Sequence, residues 1–156
     1  MIVRPAVAAD LDAFVASAAA LFAEDGGVRD PRVDVSWPLR HGHEYYGAAI
    51  AADNVLCLLA VHDDRVVGHL LGRLKGPNEV RPAVVGAELE SIRVAEDARG
   101  TGVGAALDGA FRTWALDRGV NEITVHAYAA NTAALAYYRA RGYQQQSVVL
   151  RLPLER

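Results

Sequence analysis

The sequence predicts an α+β protein with α/β/α layers and one mixed, mostly antiparallel sheet of six to seven strands. The chain has 156 residues, 52% of them hydrophobic, which supplies the core of a single domain over residues 1–156. Two apolar runs, VLCLLAVHD and RVVGHLLGRLK, are joined by Asp63-Asp64, a pattern typical of a β-hairpin. Segments with helical periodicity alternate with further strand-like runs.

The first half of the chain predicts a strand and two helices before this hairpin. The opening MIVRPAVAADLDAFVASAAALFAEDGG indicates a short strand, then a helix capped near residues 8–10 and ended by Gly26-Gly27. Pro31 and Pro38 interrupt the next stretch. We therefore expect a loop there, followed by a short helix near residues 43–52.

The second half predicts three strands and two helices. AVVGAELESIRVAED indicates a long strand in which Gly86 marks a bulge. A helix is expected from about Gly102, closed by Gly119, and NEITVHAYA follows as a strand. A last helix is expected between a cap at Asn131 or Thr132 and the stop at Gly142. YQQQSVVLRLPL then predicts the closing strand.

Composition argues against several classes of protein. A net charge of −3 disfavours binding to nucleic-acid backbones. No apolar window reaches the roughly 18 residues of a membrane span, and the first apolar stretch follows Asp10 and Asp12 rather than a basic segment. Cys57 is the only cysteine, so we expect a buried, inert thiol and no cysteine-based zinc site. We expect a cytoplasmic protein with no nucleic-acid or membrane partner and no metal.

The stretch RGTGVGAAL, residues 99–107, places three alternating glycines ahead of a helix. Glycines at a helix N-terminus let an anion approach free N–H groups, so we expect a diphosphate as the ligand. A nucleoside-triphosphate loop would need a following lysine, and the chain's only lysine is Lys75. A dinucleotide fingerprint is formally satisfied, but the acidic residue expected about 20 positions later is missing from ITVHAYAAN.

A third interpretation comes from a family resemblance. The stretch RGTGVG resembles the R/Q-x-x-G-x-G/A motif of the GCN5-related N-acetyltransferase (GNAT) family. ELESIRV is similar to that family's fourth strand, and NTAALAYYRARGY to its later N-x-x-A-x-x-[LY]-Y-x-x-x-G-[FY] segment. These features cover residues 88–143 closely, whereas residues 1–80 match only in the order of their elements. Three blocks in register favour coenzyme A over a dinucleotide.

The resemblance implies the fold and the coenzyme site of that family. The fourth and fifth strands would splay apart at one end and hold the pantetheine arm of acetyl-CoA, the acyl donor. The implied reaction moves the acetyl group to a primary amine by direct attack in a ternary complex, without a metal. The implied coenzyme-binding residues are Ile92, Arg93, Val94, Arg99, Gly100, Thr101, Gly102, Val103, Gly104, Asn131 and Tyr138.

Acyl transfer to an amine raises two proton problems. Tyr138 occupies the position of the family's tyrosine near the sulfur, and a phenol with a pKa of about 10 stays protonated and can serve as the acid. For the base, Glu90 leads and Glu88 follows. Regular pleating puts both carboxylates on one strand face, and a bulge would separate them. His126, on the expected fifth strand, is a reserve candidate.

The acceptor is the least specified part of the sequence. Acidic and aromatic residues in and after the first connection suit a small cationic amine; they are Glu24, Asp25, Asp30, Asp34, Glu44, Trp37, Tyr45 and Tyr46. A peptide or protein N-terminus or lysine is the competing acceptor. A non-catalytic acyl-CoA sensor on the same scaffold is the competing class. By family analogy, a homodimer through SVVLRLPL is a further expectation.

Overall fold

A computed structural model describes residues 1–155 of the chain. Within them, one five-stranded sheet has the order β1-β2-β3-β4-β5, with antiparallel pairs from β1 to β4 and a parallel β4–β5 pair. The strands are β1 (Ile2–Pro5), β2 (Val55–His62), β3 (Arg65–Lys75), β4 (Gly86–Val94) and β5 (Glu122–Val125). The helices are α1 (Leu11–Leu21), α2 (Gly27–Arg29), α3 (Trp37–Ala51), α4 (Val103–Asp117) and α5 (Thr132–Ala140). None of these helices is long and apolar enough to cross a membrane.

The described chain forms two compact units, Met1–His126 and a smaller one that begins at Ala127. The first unit contains the whole sheet, and the second contains α5. The predicted count of six to seven strands is wrong, because the segment expected as a closing strand has no regular structure. A strand needs a partner for its backbone hydrogen bonds, and the second unit contains no other strand. The apolar side chains of this segment are accordingly exposed, by 88% at Val149 and 90% at Leu150.

Helix boundaries differ from the prediction at α3, which begins at Trp37 rather than near His43. Pro38 lies in the first turn of this helix, where the missing N–H has no partner to lose and the fixed φ suits the helix. The prediction that Pro38 interrupts the chain before the helix is therefore wrong. Between α1 and α2, the chain continues as a π-helical turn at Phe22–Gly26.

Helix α4 packs closely on one face of the sheet because β3 carries glycines beneath it. A Cβ added at Gly72 would lie 2.2 Å from the ring of Phe111, and one at Gly68 would meet Leu107 and Val103 at 3.2 Å. Phe111 and Leu107 are fully buried. The start of α4 is thereby held close to the end of β4.

Helices α1 and α3 cover the opposite face of the sheet. Phe14 of α1 is fully buried and contacts the rings of Tyr46 of α3 (5.3 Å) and His69 of β3 (4.9 Å). Cys57 of β2 belongs to the same core, as the sequence predicts. Burial raises the pKa of the Cys57 thiol to about 12, so this side chain stays protonated.

A bulge interrupts β4 at Glu90. Leu71 of β3 lies opposite Ser91 and Gly72 lies opposite Leu89, so Glu90 is the extra residue. The bulge is thus four residues beyond Gly86, where the sequence predicted one. Glu90 hydrogen-bonds to a residue of α3, and Ser91 hydrogen-bonds to His69, which contacts α1. The bulge therefore turns two consecutive side chains toward the α1/α3 face.

His69 is a fully buried titratable group on this face. Its Nδ1 lies 2.5 Å from the Ser17 hydroxyl and its Nε2 lies 3.2 Å from the Ser91 hydroxyl. Burial, assisted by the nearby Arg93 charge, lowers the pKa of His69 to about 3. The folded protein therefore binds a proton at this site much more weakly than the unfolded chain does.

We predict that this difference makes folding acid-sensitive. The depressed pKa contributes stability above the unfolded value of about 6.5, and this contribution is lost as the pH falls toward 3. Denaturant unfolding between pH 7 and pH 4 should show a loss of up to about 1.4 kcal/mol per pH unit from His69. His69→Gln should unfold more easily at pH 7 but with a shallower pH dependence. Equal pH slopes in the two proteins would contradict this account.

Candidate active site

The edge of β4 opens where its parallel neighbour ends. Pairing between β4 and β5 covers four residue pairs, from Gly86 opposite Glu122 to Leu89 opposite Val125. Strand β4 continues to Val94, and on its other side it stays paired with β3 over that length. Within the first unit, residues 90–94 therefore present a backbone edge that no neighbouring strand occupies. An extended amide-bearing ligand can add to such an edge as a strand does.

The glycine loop leads from the end of β4 into α4. Gly100 has φ +76° and Gly102, the N-cap of α4, has φ +90°. No side chain caps this helix, and a Cβ added at either glycine would meet no atom within 4 Å. The first N–H groups of α4 are therefore free of a side-chain cap and carry the positive end of the helix dipole. This open cradle fits a diphosphate.

Arg99 begins the loop and lies across the end of β4. Its Nε donates to the carbonyl of Val94 (3.0 Å), and its Nη2 donates to Glu24 (3.1 Å). The hydroxyl of Thr101 donates to the carbonyl of Ala98 (2.5 Å), which closes the loop on itself. Of the predicted coenzyme-binding residues, Val94 thus already uses its carbonyl within the protein. Val103 and Gly104 form the first two residues of α4.

The side chains of the other two predicted strand residues point to different faces. Ile92 lies opposite Leu70 in the β3–β4 register, on the face that α4 covers. Arg93 lies opposite His69, on the α1/α3 face, with a side chain only 15% exposed and paired with Glu24. Only their backbone is available for the predicted coenzyme contact.

Glu90 is held by two donors from elements on the α1/α3 face. The Tyr45 hydroxyl donates to Oε2 (2.7 Å), and Arg73 Nε donates to Oε1 (2.9 Å). Arg73 Nη2 also donates to the Tyr45 oxygen (3.0 Å), which closes the group into a triangle. Each carboxylate oxygen keeps a second lone pair for a water or a substrate N–H.

Burial, reinforced by the neighbouring Glu90 carboxylate, raises the pKa of Tyr45 to about 12. The phenol therefore stays protonated and remains a donor. Glu88 projects to the same face and lies 3.5 Å from Lys75. The bulge is at Glu90, after Glu88, and the carboxylates of Glu88 and Glu90 remain on the same face of the sheet.

A cavity of about 530 Å³ opens beside this triangle, within the size range of small-molecule sites. Tyr45 and Arg73 line it, whereas Glu90 lies behind them. The remaining lining residues are Trp37, His41, Glu44, Ala48, Ala49, Ala52, Asn54 and Val55. The cavity therefore offers aromatic side chains, a carboxylate and a guanidinium, and two of its lining residues hydrogen-bond to Glu90 of β4.

The acidic residues predicted to bind an amine are mostly engaged with arginines. Asp25 pairs with Arg29, Asp34 with Arg40, and Glu24 with two arginines. The Asp30 carboxylate accepts a backbone N–H in the same connection. Of the five predicted carboxylates, only the exposed Glu44 lines the cavity, and it has no ion-pair partner within residues 1–155. Of the predicted acidic cluster, only Glu44 is thus placed to contact an amine in the cavity.

The second unit contains Asn131 and Tyr138, whereas His126 is the last residue of the first unit. The Asn131 side chain accepts from the Ala134 N–H (3.0 Å), which confirms its role as the cap of α5. Tyr138 is half-buried, and its ring contacts those of Tyr137 and Tyr143 at 5.4 Å each. His126 follows the end of β5 and is exposed. Among residues 1–155, no group of acidic, histidine or cysteine side chains is arranged to hold a metal ion.

Comparison with known families completes this description. The sequence profile of the acetyltransferase (GNAT) family matches residues 21–143, about four fifths of the chain. The chain belongs to this family. It is an N-acetyltransferase, of a family that transfers acetyl groups from acetyl-CoA to amines. A comparison with curated protein sequences found no match.

Solved structures share the fold of this acetyltransferase at low sequence identity. An aminoglycoside 6'-N-acetyltransferase from Acinetobacter haemolyticus is 21% identical over 99% of both chains, with a TM-score of 0.73. An aminoglycoside N-acetyltransferase in complex with CoA is 16% identical over 99% of both chains, also with a TM-score of 0.73. A protein from Bacillus halodurans described as a transcriptional regulator is 22% identical over 98% of this chain and 99% of its own, with a TM-score of 0.78. Such identities show a common fold and no more.

Sequence reasoning missed the triangle and the cavity of this acetyltransferase. Trp37, His41 and Tyr45 recur at four-residue spacing, which places them on one helix face. This signal was lost because the helix was expected to begin six residues too late. Arg73 lies four residues after His69 on β3, so the two side chains share one face of the sheet. Only the β3–β4 register shows which residues of β4 lie next to Arg73.

We predict that the acetyltransferase needs Gly102 for coenzyme binding and not only for folding. Gly102→Ala and Gly119→Ala force an L residue into a left-handed conformation at the two ends of α4, so each should destabilise the fold by about 1 kcal/mol. Only Gly102→Ala should also weaken CoA binding, by about tenfold or more, because its methyl group covers the helix N-terminus. Calorimetric titration with CoA measures this, and equal affinities in the two variants would contradict it.

Proposed function

We propose that this acetyltransferase moves the acetyl group of acetyl-CoA to the primary amine of a small cationic molecule, by direct attack in a ternary complex. The observation that carries the proposal is the position of Glu90. It lies at the residue where β4 becomes open, and it reaches the cavity through Tyr45 and Arg73. A coenzyme arm along the open edge of β4 would pass this carboxylate, and an amine in the cavity would be linked to it through Tyr45 and Arg73.

For the coenzyme, the proposed binding groups are the backbone of residues 92–94 and the loop of residues 99–104. The uncapped N–H groups at the start of α4 suit its diphosphate. Asn131 and Tyr138 enter the proposal through the sequence motif alone. Acetyl-CoA, when bound, supplies the acetyl thioester. The protein's own residues orient the amine and handle two protons.

For the first proton, we assign the base to Glu90, acting directly or through a water held at its free lone pairs. Tyr45 and Arg73 fix the carboxylate in one orientation, which a positioned base requires. Glu88 is the second candidate on the same face. For the second proton, we assign the acid to Tyr138, which would protonate the departing thiolate.

For the acceptor, Glu44 and the rings of Trp37 and Tyr45 favour a cation. Trp37 and Tyr45 meet edge to face at 5.4 Å and both line the cavity, and aromatic rings can attract a cation. The Arg73 charge is already balanced by Glu90. Four structures with the same fold are aminoglycoside acetyltransferases, which is consistent with a cationic small molecule as acceptor.

A thiol-release assay with acetyl-CoA and a panel of amines tests the proposal. The panel should contain aminoglycosides and polyamines, neutral amino-acid amides, anionic amino acids and peptide N-termini. Polycationic small molecules should give the highest kcat/KM. Preference for peptides would favour the competing acceptor class. Coenzyme binding without thiol release from any amine would identify a sensor rather than an enzyme.

We predict that Glu44 sets the preference for cations. Glu44→Gln should raise the KM of a dicationic or polycationic acceptor by about fivefold to tenfold, the effect of one lost charge-assisted hydrogen bond. The kcat should change by less than about twofold. Glu79→Gln removes the same charge from an exposed site in the β3–β4 connection and serves as the control. The assignment fails if both variants have the wild-type KM.

We predict that the Tyr138 hydroxyl contributes to chemistry. Tyr138→Phe should lower kcat by about 10²-fold, in the range of one lost acid–base group, while the Kd of CoA stays within about twofold. Tyr137→Phe is the matched control, since it removes the neighbouring hydroxyl from the same helix. Single-turnover thiol release separates chemistry from product release. Equal rates in the two variants would exclude Tyr138 as the acid.

A further inference from the structure

The carboxylate of Glu24 lies between two arginines at the mouth of the glycine loop. Arg93 donates to it twice, from Nη2 to Oε1 (2.7 Å) and from Nε to Oε2 (3.1 Å). Arg99 donates once, from Nη2 to Oε2 (3.1 Å). One carboxylate thus orients a guanidinium on β4 and a guanidinium on the loop.

The contacts are long-range in sequence, spanning 69 residues to Arg93 and 75 to Arg99. Glu24 comes from the π-helical turn at Phe22–Gly26, and such turns occur frequently at functional sites. The strong Arg93 pair, reinforced by Arg99, lowers the pKa of Glu24, so the carboxylate is ionised at neutral pH. Nothing in the proton chemistry proposed above uses this group.

Arg99 is fixed at two points and free at the rest of its guanidinium. Its Nε is bound to the Val94 carbonyl, its Nη2 is bound to Glu24, and the side chain is 53% exposed. A long arginine side chain loses conformational freedom when it binds an anion, unless the protein has already ordered it. Two anchors on one guanidinium provide this ordering.

We propose that Glu24 is a positioning residue for the coenzyme. It holds Arg99 beside the start of α4, so that the guanidinium meets the diphosphate already ordered. The inference rests on the proposed function, because it requires a diphosphate ligand in the glycine loop. It assigns to the π-helical turn after α1 a role in coenzyme binding that acts only through Arg99.

A test must separate orientation from charge, since Glu24→Gln also makes the protein more positive. Asp97→Asn supplies the matched control. Asp97 lies two residues before Arg99 and pairs with Arg65 at 2.7 Å, so this change removes the same charge near the same loop. It leaves both anchors of Arg99 in place. The Arg99→Gln background then shows whether Glu24 acts through Arg99.

The experiment is calorimetric titration of CoA into the wild type and the single variants Glu24→Gln and Asp97→Asn. The same two changes are then each measured in the Arg99→Gln background. With Arg99 present, Glu24→Gln should bind CoA about fivefold more weakly than Asp97→Asn, the ordering cost of one long side chain. With Gln at position 99, the two changes should give affinities within about twofold of each other. A general structural role would weaken binding in both backgrounds.

Two results would overturn the inference and they differ from failure of the proposed function. Equal affinities of Glu24→Gln and Asp97→Asn would show that only charge matters. A fivefold difference that persists in the Arg99→Gln background would show that Glu24 acts through the fold or through Arg93, and not through Arg99. Absence of CoA binding by the wild-type protein would instead remove the proposed function, and this inference with it.

Discussion

Hydrogen bonds between β4 and β5 stop at Leu89 and Val125, while β4 runs on to Val94. This early end of a parallel pairing determines where the remaining parts of the candidate site lie. It leaves a backbone edge on one side of residues 90–94, and the strand then delivers the chain to the glycine loop. The bulge at Glu90 coincides with the first open residue. The carboxylate consequently lies where the edge begins rather than further along it.

Arginines organise the polar side of the molecule around this edge. Arg73 holds Glu90 beside the cavity, and Arg93 and Arg99 hold Glu24 beside the loop. Each of these carboxylates comes from a different element than its partners, so the ion pairs connect the π-helical turn after α1, β3, β4 and the loop. Most of these side chains are partly buried, and the contribution of the pairs to the site lies in fixing orientation. Glu44 is left as the carboxylate available to a ligand in the cavity.

Sequence reasoning predicted the hairpin, the glycine loop with its helix, and the cap of α5, because local chemistry determines each. Asp63 and Asp64 both adopt positive φ in a two-residue turn, and Asn131 caps through its own side chain. Long-range register is different. Neither the position of the bulge nor the meeting of Arg73 with Glu90 follows from local pattern, since one residue of slip exchanges the faces.

The wrongly predicted closing strand also shows that local pattern does not determine long-range pairing. Its alternating apolar residues fit a strand pattern, yet a strand forms only with an available partner edge. The start of α3 was misplaced for a local reason, since proline is read as a break although it suits a first helical turn. That error concealed the aromatic face of the cavity.

The contact between Gly72 and Phe111 has a consequence for how this fold can change. Any side chain at position 72 would collide with the ring and displace α4, together with the loop at its start. A smaller residue at position 111 would relieve the collision but leave space beneath the helix. The two positions should therefore covary among descendants of this sequence.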